Sequence, residues 1–297
     1  MKFRLGIYLL GLATIFCSMS FADLPKKITK RQVDPRPVRL NLMTYNIRIG
    51  VGGANWDGSA AKINLSPIAK IISAHKVDFA GLQEVDCFRQ RSGGINQPKW
   101  FSDRLDMKVA FEPAYSIPTK TGLNEEYGLT LLSPHWIHSF SRYTLFKPDY
   151  RKSHPNYPDY YSEQRILLHA LVSVRSQRIH LFITHLGLTP DQREEQVRQI
   201  VDIMSRFEGP KILLGDFNAE PTSPEMAPLY QEYSDALAVA GVKNNERKSF
   251  PSGDQSKTAL DYIFVSEEFN VRSAKVIRDT SLASDHNPVF AEVELPR

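Results

Sequence analysis

Two polar clusters interrupt apolar runs in this chain. Lys211-Ile212-Leu213-Leu214 breaks into Gly215-Asp216-Phe217-Asn218, and Ser284-Asp285-His286-Asn287-Pro288 stands just before the apolar run that ends the chain. Asp216 and Asn218 are two residues apart, so an extended strand end presents both on one side. Carboxylate, amide and imidazole side chains on a rigid rim are the donor set that a hard divalent cation and a phosphate ester require. The chemistry these clusters point to is metal-assisted hydrolysis of a phosphate ester.

Other residues of the same types recur where apolar segments end: Asn46, Glu84, His185 and Asp261. Taken one at a time, each has an ordinary explanation as a turn former, a satisfied histidine or a solvated acid. Their shared placement at predicted strand ends, where sheet enzymes concentrate chemistry, carries the argument.

The elements that must position them follow from periodicity. Arg39 to Asn46 alternates as a strand, and Gly50, Gly52 and Gly53 follow as loop. Ser66-Pro67 is expected to cap a short helix carrying Ile68, Ile71 and Ile72. Val77 to Leu82 reads as a buried strand that delivers Gln83-Glu84 at its end. Ile166 to Val174 and Ile179 to Ile183 form a hairpin around Arg175-Ser176-Gln177-Arg178, the second strand ending at Thr184-His185. Thr189-Pro190 is expected to start a helix, with Gln192 as capping-box partner and Val197, Ile200, Val201 and Met204 as its apolar stripe. Lys211 to Leu214, Leu260 to Val265 and Val289 to Leu295 complete the strands. Strands mixed with capped helices and hairpins imply an α/β (α+β) protein with mixed sheets.

Composition bounds the rest. The 297 residues are consistent with one catalytic domain. Met1-Lys2-Phe3-Arg4, the apolar stretch to Phe16 and the small-x-small Ser20-Phe21-Ala22 read as a signal peptide over residues 1–22, cleaved after Ala22. Its apolar core is too short for a membrane span. The Pro-punctuated segment 23–38 reads as a linker and 39–297 as the enzyme domain. Cleavage lowers the formal charge from +4 to +2, too little to argue for a nucleic-acid surface. It also leaves Cys87 as the one cysteine, so no internal disulfide can form. No heptad pattern is present, and a secreted or periplasmic monomer is expected.

The order of the motifs resembles the endonuclease/exonuclease/phosphatase family from about Leu40 to Leu295. The resemblance rests on Met43-Thr44-Tyr45-Asn46-Ile47-Arg48, Asp78-Phe79-Ala80-Gly81-Leu82-Gln83-Glu84-Val85, Tyr127-Gly128-Leu129-Thr130-Leu131-Leu132-Ser133 and Phe182-Ile183-Thr184-His185-Leu186. It continues through Leu214-Gly215-Asp216-Phe217-Asn218-Ala219-Glu220-Pro221, Leu260-Asp261-Tyr262-Ile263-Phe264 and Ser284-Asp285-His286-Asn287-Pro288-Val289. It implies a four-layer α/β/β/α sandwich with two mixed sheets and the site at one end.

By that resemblance Glu84, Asn46 and Asp285 would hold Mg²⁺ or Mn²⁺, and His286 paired with Asp261 would act as general base or as a stabilising cation. Asp216 and Asn218 would handle the attacking water and a phosphate oxygen, with the proton going to either Asp216 or His286. His185 would contact the phosphate and protonate the leaving oxygen. Arg165 falls where family members carry an arginine; a substrate contact and a solvated edge charge are equal readings of it. The Tyr- and Pro-rich segment 143–164 is either a platform beside the site or a self-packed loop. The expected substrate is a small or lipid-derived phosphate ester, with DNA as the alternative and a catalytically silent binding module as the least favoured reading.

Overall fold

The computed structural model describes residues 36–53, 62–120, 122–150, 156, 158–279 and 281–296. The expected signal peptide and most of the linker lie outside them; Val38, assigned above to the linker, opens the first strand. The strands are β1 (Val38–Asn46), β2 (Phe79–Cys87), β3 (Lys108–Ile117), β4 (Glu125–Ser133), β5 (Trp136–Thr144), β6 (Ile166–Val174), β7 (Gln177–His185), β8 (Lys211–Asp216), β9 (Ser234–Asp235), β10 (Asp261–Val265), β11 (Asn270–Val276) and β12 (Val289–Leu295). The α-helices are α1 (Ser66–Ala74), α2 (Gln97–Leu105), α3 (Pro190–Ser205), α4 (Ala227–Glu232) and α5 (Ala236–Val239).

Two six-stranded sheets form, ordered β11-β12-β1-β2-β4-β3 and β5-β6-β7-β8-β10-β9. Both are mixed: β1/β2 and β7/β8 pair in parallel and the other pairs run antiparallel. Period-two alternation sends Leu40 and Leu42 of β1, Leu181 and Ile183 of β7, and Ile212 and Leu214 of β8 into a common core between the sheets. The intervening residues face outward and are covered in turn. Met43, Tyr45 and Leu82 pack with Ile68, Ile72 and Phe101 of α1 and α2, while Phe182, Leu213 and Phe264 pack with Val197, Ile200 and Met204 of α3. These three apolar layers make the four-layer sandwich that the resemblance implied. The sheets approach closely at Gly81, where a Cβ would stand 2.9 Å from that of Leu214.

Several local expectations change. Ser66 does not cap α1; its own N–H donates to Asn64 Oδ1 at 3.2 Å. Thr189 precedes α3 without a side-chain cap bond, because its hydroxyl engages the Tyr150 phenol, which also donates to Asp191. Gln192 closes no capping box: its amide is buried without a partner against the space left by Gly187. Within the described part of 143–164, Tyr150 is buried against the start of α3. Tyr143 packs against the apolar layer under α3 and Phe146 is exposed, while Tyr157 lies outside the described residues.

On the outer side of the second sheet, His169 and His180 share a 2.9 Å hydrogen bond, with His169 packed against Phe182 and Phe207. Burial first, and then His180, push His169 down to about 4. An unfolded chain therefore binds more protons between pH 6.5 and 4, and stability falls as pH drops through that window. The expected cost at pH 4.5 is about 2 kcal/mol. His169→Gln, whose amide can still donate to His180, should flatten the fall in melting temperature between pH 7 and 4.5. An unchanged slope would refute the assignment.

Candidate active site

Alternation carries the site directly out of the core. Continuing Leu40 and Leu42 by steps of two reaches Asn46; continuing Leu181 and Ile183 reaches His185; continuing Ile212 and Leu214 reaches Asp216. Asp261 shares the inner face of β10 with Ile263 and Val265. Polar side chains thus replace apolar ones where the two inner faces end. His185 pairs with Asp216 across the parallel β7/β8 ladder, and Asp261 pairs with Asp216 across β10/β8.

Glu84 breaks this rule and reaches the site by a different device. Alternation would turn it outward with Ala80 and Leu82, into the layer covered by α1 and α2. The expected strand end at Leu82 is also not observed: β2 continues to Cys87 through a bulge between Leu82 and Val85, with Glu84 at φ 57°. The extra residue and the left-handed backbone rotate Glu84 to the inner side, an outlier of the kind found at functional positions.

Asn46 joins the two sheets at this point. Its Nδ2 donates to Glu84 Oε1 at 3.0 Å and to Asp216 Oδ2 at 2.9 Å, while its Oδ1 accepts from the Arg48 N–H. The amide expected to ligate a metal is therefore engaged as a donor that bridges two carboxylates. Asp216 is buried, and its second oxygen accepts from the Asn218 N–H at 3.0 Å. Asn218 lies at φ 50° and spends one amide hydrogen on the Leu186 carbonyl. Burial lifts Asp216 above the usual carboxylate range, while His286 and Asn46 pull it back.

His286 is held between two acids: Nδ1 lies 2.8 Å from Asp261 Oδ2 and Nε2 lies 3.6 Å from Asp216 Oδ2. Burial opposes its charge, yet Asp261 and Asp216 hold it up at about 10. An imidazole with a carboxylate at each nitrogen is an imidazolium, which favours a cationic role over that of general base. His185 sits 3.5 Å from Asp216 on the other side. Burial, Arg165 and His286 push it well below the ordinary range, so it is neutral and can offer a hydrogen bond but has no proton to surrender as an acid. Arg165 is 6% exposed, pairs with Glu163, and lines a cavity with Glu84, Tyr127 and His185, so it is no edge charge.

Several participants carried no assignment from the sequence. Arg48 Nε lies 3.2 Å from Asp285 Oδ2. Ser284 Oγ donates to the Asn46 carbonyl at 2.6 Å, tying the approach to β12 to the end of β1. Ser249 Oγ accepts from the Asp261 N–H, and the Phe250 ring lies 4.9 Å from that of His286. Asn287 bonds Gly253 through both ends of its amide and also reaches Asp279 N–H and Ser256. Ser284 and Asn287 stood inside a motif and were legible as motif members; Ser249 and Phe250 left no periodic or motif signal.

The donor set fits a hard divalent cation. Glu84 is pushed up to about 7, first by burial and then by Asp285. Asn46 and the charge of His286 pull it back only in part. Asp261 Oδ1 is buried without a hydrogen-bond partner. Asp216, Asp261 and His286 each offer a ligand atom within 4.8 Å of the others. Within that group the 2.8 Å hydrogen bond already occupies His286 Nδ1 and Asp261 Oδ2. A depression lined by Lys70, His75, Arg104 and Arg278 shares none of these side chains.

A sequence profile of the endonuclease/exonuclease/phosphatase family matches residues 43–286, from just before Asn46 to His286. This chain belongs to the endonuclease/exonuclease/phosphatase family. It is accordingly a phosphoesterase, a hydrolase of ester bonds. Solved structures share its fold at low identity. A Bacteroides vulgatus endonuclease/exonuclease/phosphatase is 20% identical with a TM-score of 0.66, covering 87% of this chain and 99% of that one. A mannosyl-6-phosphatase of Bacteroides thetaiotaomicron is 19% identical with a TM-score of 0.63, covering 86% and 99%. The human Nocturnin catalytic domain, solved with a sulfate anion, is 19% identical with a TM-score of 0.60, covering 86% and 94%. Among the described residues no helix is long and apolar enough to cross a membrane.

Proposed function

We propose that this protein is an exported, monomeric, Mg²⁺- or Mn²⁺-dependent phosphoesterase that hydrolyses a small or lipid-derived phosphate ester by attack of water. The observation that carries this reading is the meeting at Asn46 of two unlike halves: the acid-rich side of Glu84 and Asp285, and the Asp216–His286–Asp261 relay. One half suits a cation and a phosphate oxygen; the other suits a water and its proton.

Glu84 and Asp285 would hold the cation, which supplies charge to the phosphoryl oxygens and lowers the cost of the anionic transition state. Asp216, its carboxyl raised by burial, takes the proton as water attacks phosphorus, and the P–O bond to the leaving alcohol breaks, its oxygen taking up a proton from solvent. Asn218 beside it orients the water. His286, kept cationic by Asp261, balances the charge that develops, while neutral His185 and buried Arg165 hold phosphate oxygens. Export rests on the N-terminal Met1 to Ala22 segment.

The test uses protein secreted by its host, whose N-terminal sequencing should begin at Asp23. Chelator should reduce hydrolysis of generic phosphate mono- and diesters by on the order of 10²-fold or more, and Mg²⁺ or Mn²⁺ should restore it. Cleavage that survives the chelator would overturn the mechanism.

A further inference from the structure

A groove on the outer side of the first sheet lies apart from the catalytic residues and is built from three elements. It takes Lys70 and Ile71 from α1, Arg104 and Leu105 from the end of α2, and Ile277 and Arg278 from the segment after β11. Its volume is about 980 Å³, at the top of the range that small-molecule pockets occupy. Ile71, Leu105 and Ile277 pack by one edge on the layer that holds Ile68, Ile72 and Phe101 and leave the other edge partly exposed. The groove is therefore apolar at its base.

The charges around it are one-sided. Elsewhere, exposed cations on or beside helices are neutralised locally: Lys99 by Asp103, Arg198 by Glu195 and Arg206 by Asp202. Lys70 has no such partner, because the positions three and four residues away are Ser66, Pro67, Ser73 and Ala74. The same spacing from Arg104 gives Trp100, Phe101, Met107 and Lys108. Both residues are exposed, and among the described residues no acid lies within ion-pair distance of either. Arg278 donates to the carbonyls of Glu246 and Lys248 and to the Ser256 hydroxyl, all neutral, so no acid offsets its charge. Asp279, the one carboxylate among the lining residues, is buried. It accepts from the Ser281 N–H and hydroxyl at 2.9 and 2.6 Å and from the Ala283 N–H at 2.8 Å, and so is spent on its own loop.

Cations without acids around an apolar base call for a ligand that brings carboxylates and apolar side chains together. A lone phosphate would satisfy the charge and leave Ile71, Leu105 and Ile277 uncovered. Duplex nucleic acid is held by neutralising on the order of 6–10 phosphates, more than Lys70, Arg104 and Arg278 can meet. Anionic membranes are recognised by clusters of about 4–8 Lys and Arg on a surface that can lie against flat headgroups, whereas these cations frame a concave one.

We propose that this groove is a docking site for an acidic segment of a partner protein, whose carboxylates pair with Lys70, Arg104 and Arg278 and whose apolar side chains cover Ile71, Leu105 and Ile277. Charge complementarity selects the partner, and burial of the base adds affinity and distinguishes it from a simple polyanion. The groove shares no side chain with the catalytic residues, so the inference stands whatever ester the enzyme hydrolyses.

The experiment follows, by fluorescence anisotropy, binding of the whole chain to a fluorescein-labelled random copolymer of glutamate and leucine. Chelator is present so that no cation at the catalytic site recruits the carboxylates. A Kd of about 1–10 μM at physiological salt is expected, with polyglutamate at least about tenfold weaker because it leaves the apolar base uncovered. Lys70→Glu and Arg104→Glu should each weaken the copolymer roughly tenfold. Both residues are exposed and outside the catalytic machinery, so hydrolysis of a generic phosphate ester with Mg²⁺ should be unchanged, and a thermal melt verifies the fold. Equal affinity for the two polymers would reduce the groove to a charged surface. Binding that survives both reversals would place the copolymer on another basic segment. Tighter, reversal-sensitive binding of phosphatidylglycerol vesicles or duplex DNA would give the groove to that class of ligand. Each of these results, like the absence of copolymer binding, would overturn the proposal.

Discussion

Asp261→Asn should lower kcat by roughly 10³- to 10⁴-fold, the size seen when the carboxylate that orients a catalytic imidazole is neutralised. Asp261 and Asp216 sit directly opposite each other across β10 and β8, an arrangement that repels when both are ionised. His286 resolves the conflict by standing between them, 2.8 Å from one and 3.6 Å from the other. An asparagine at 261 can still accept the Nδ1 hydrogen but contributes no negative charge. His286 then loses the largest influence holding its proton, and the site loses its cation at the transition state. Two measurements check this together: single-turnover rates on a generic phosphate ester, and the His286 imidazole titration by NMR, which should move to lower pH. A rate loss under tenfold, or an unmoved titration, would show that the pair is structural.

The comparison of sequence with structure turns on which side chains obey strand periodicity. Asn46, His185, Asp216 and Asp261 each lie an even number of residues from apolar core positions on the same strand, so their common face is legible from alternation alone. Strands β1, β2, β6, β7, β8, β10 and β12 and helices α1 and α3 follow from the same pattern, whereas β3, β4, β5, β9, β11 and α2 are not read from it and the two-sheet sandwich comes from the family resemblance. Glu84 was found through its motif and not through its period, because a bulge resets the period and no propensity in Gln83-Glu84-Val85 announces one. Asn46 bridges carboxylates through its Nδ2, a choice set by the Arg48 N–H that takes its Oδ1; that partner depends on a left-handed turn at Arg48 and Ile49. The Ser249 contact with Asp261 and the Phe250 contact with His286 come from a loop with no period at all, so tertiary packing alone reveals them.

Glu84→Gln should abolish turnover by on the order of 10³-fold and at the same time stabilise the metal-free protein. The two effects share one cause. Glu84 is held in place by a left-handed bulge and pushed up to about 7 by burial and by Asp285. An acid whose folded pKa is raised binds fewer protons when unfolded, so its contribution to stability falls as pH rises from about 4.5 to 7 and stays low above that range. The penalty at pH 8 is on the order of 1–3 kcal/mol. Glutamine keeps an oxygen to accept the Asn46 hydrogen bond and removes the charge that causes the penalty. In chelator at pH 8 the variant should therefore melt a few degrees above wild type, whereas at pH 4 the two should converge. Adding Mg²⁺ should raise the wild-type melting temperature and leave the variant nearly unmoved, because the wild-type carboxylate is where cation binding offsets repulsion. If the variant melts lower in chelator, or if Mg²⁺ shifts both proteins equally, Glu84 is not the cation's seat. The opposite signs matter most: a residue placed for packing would lose stability and activity together, and one placed for charge loses activity while the fold gains.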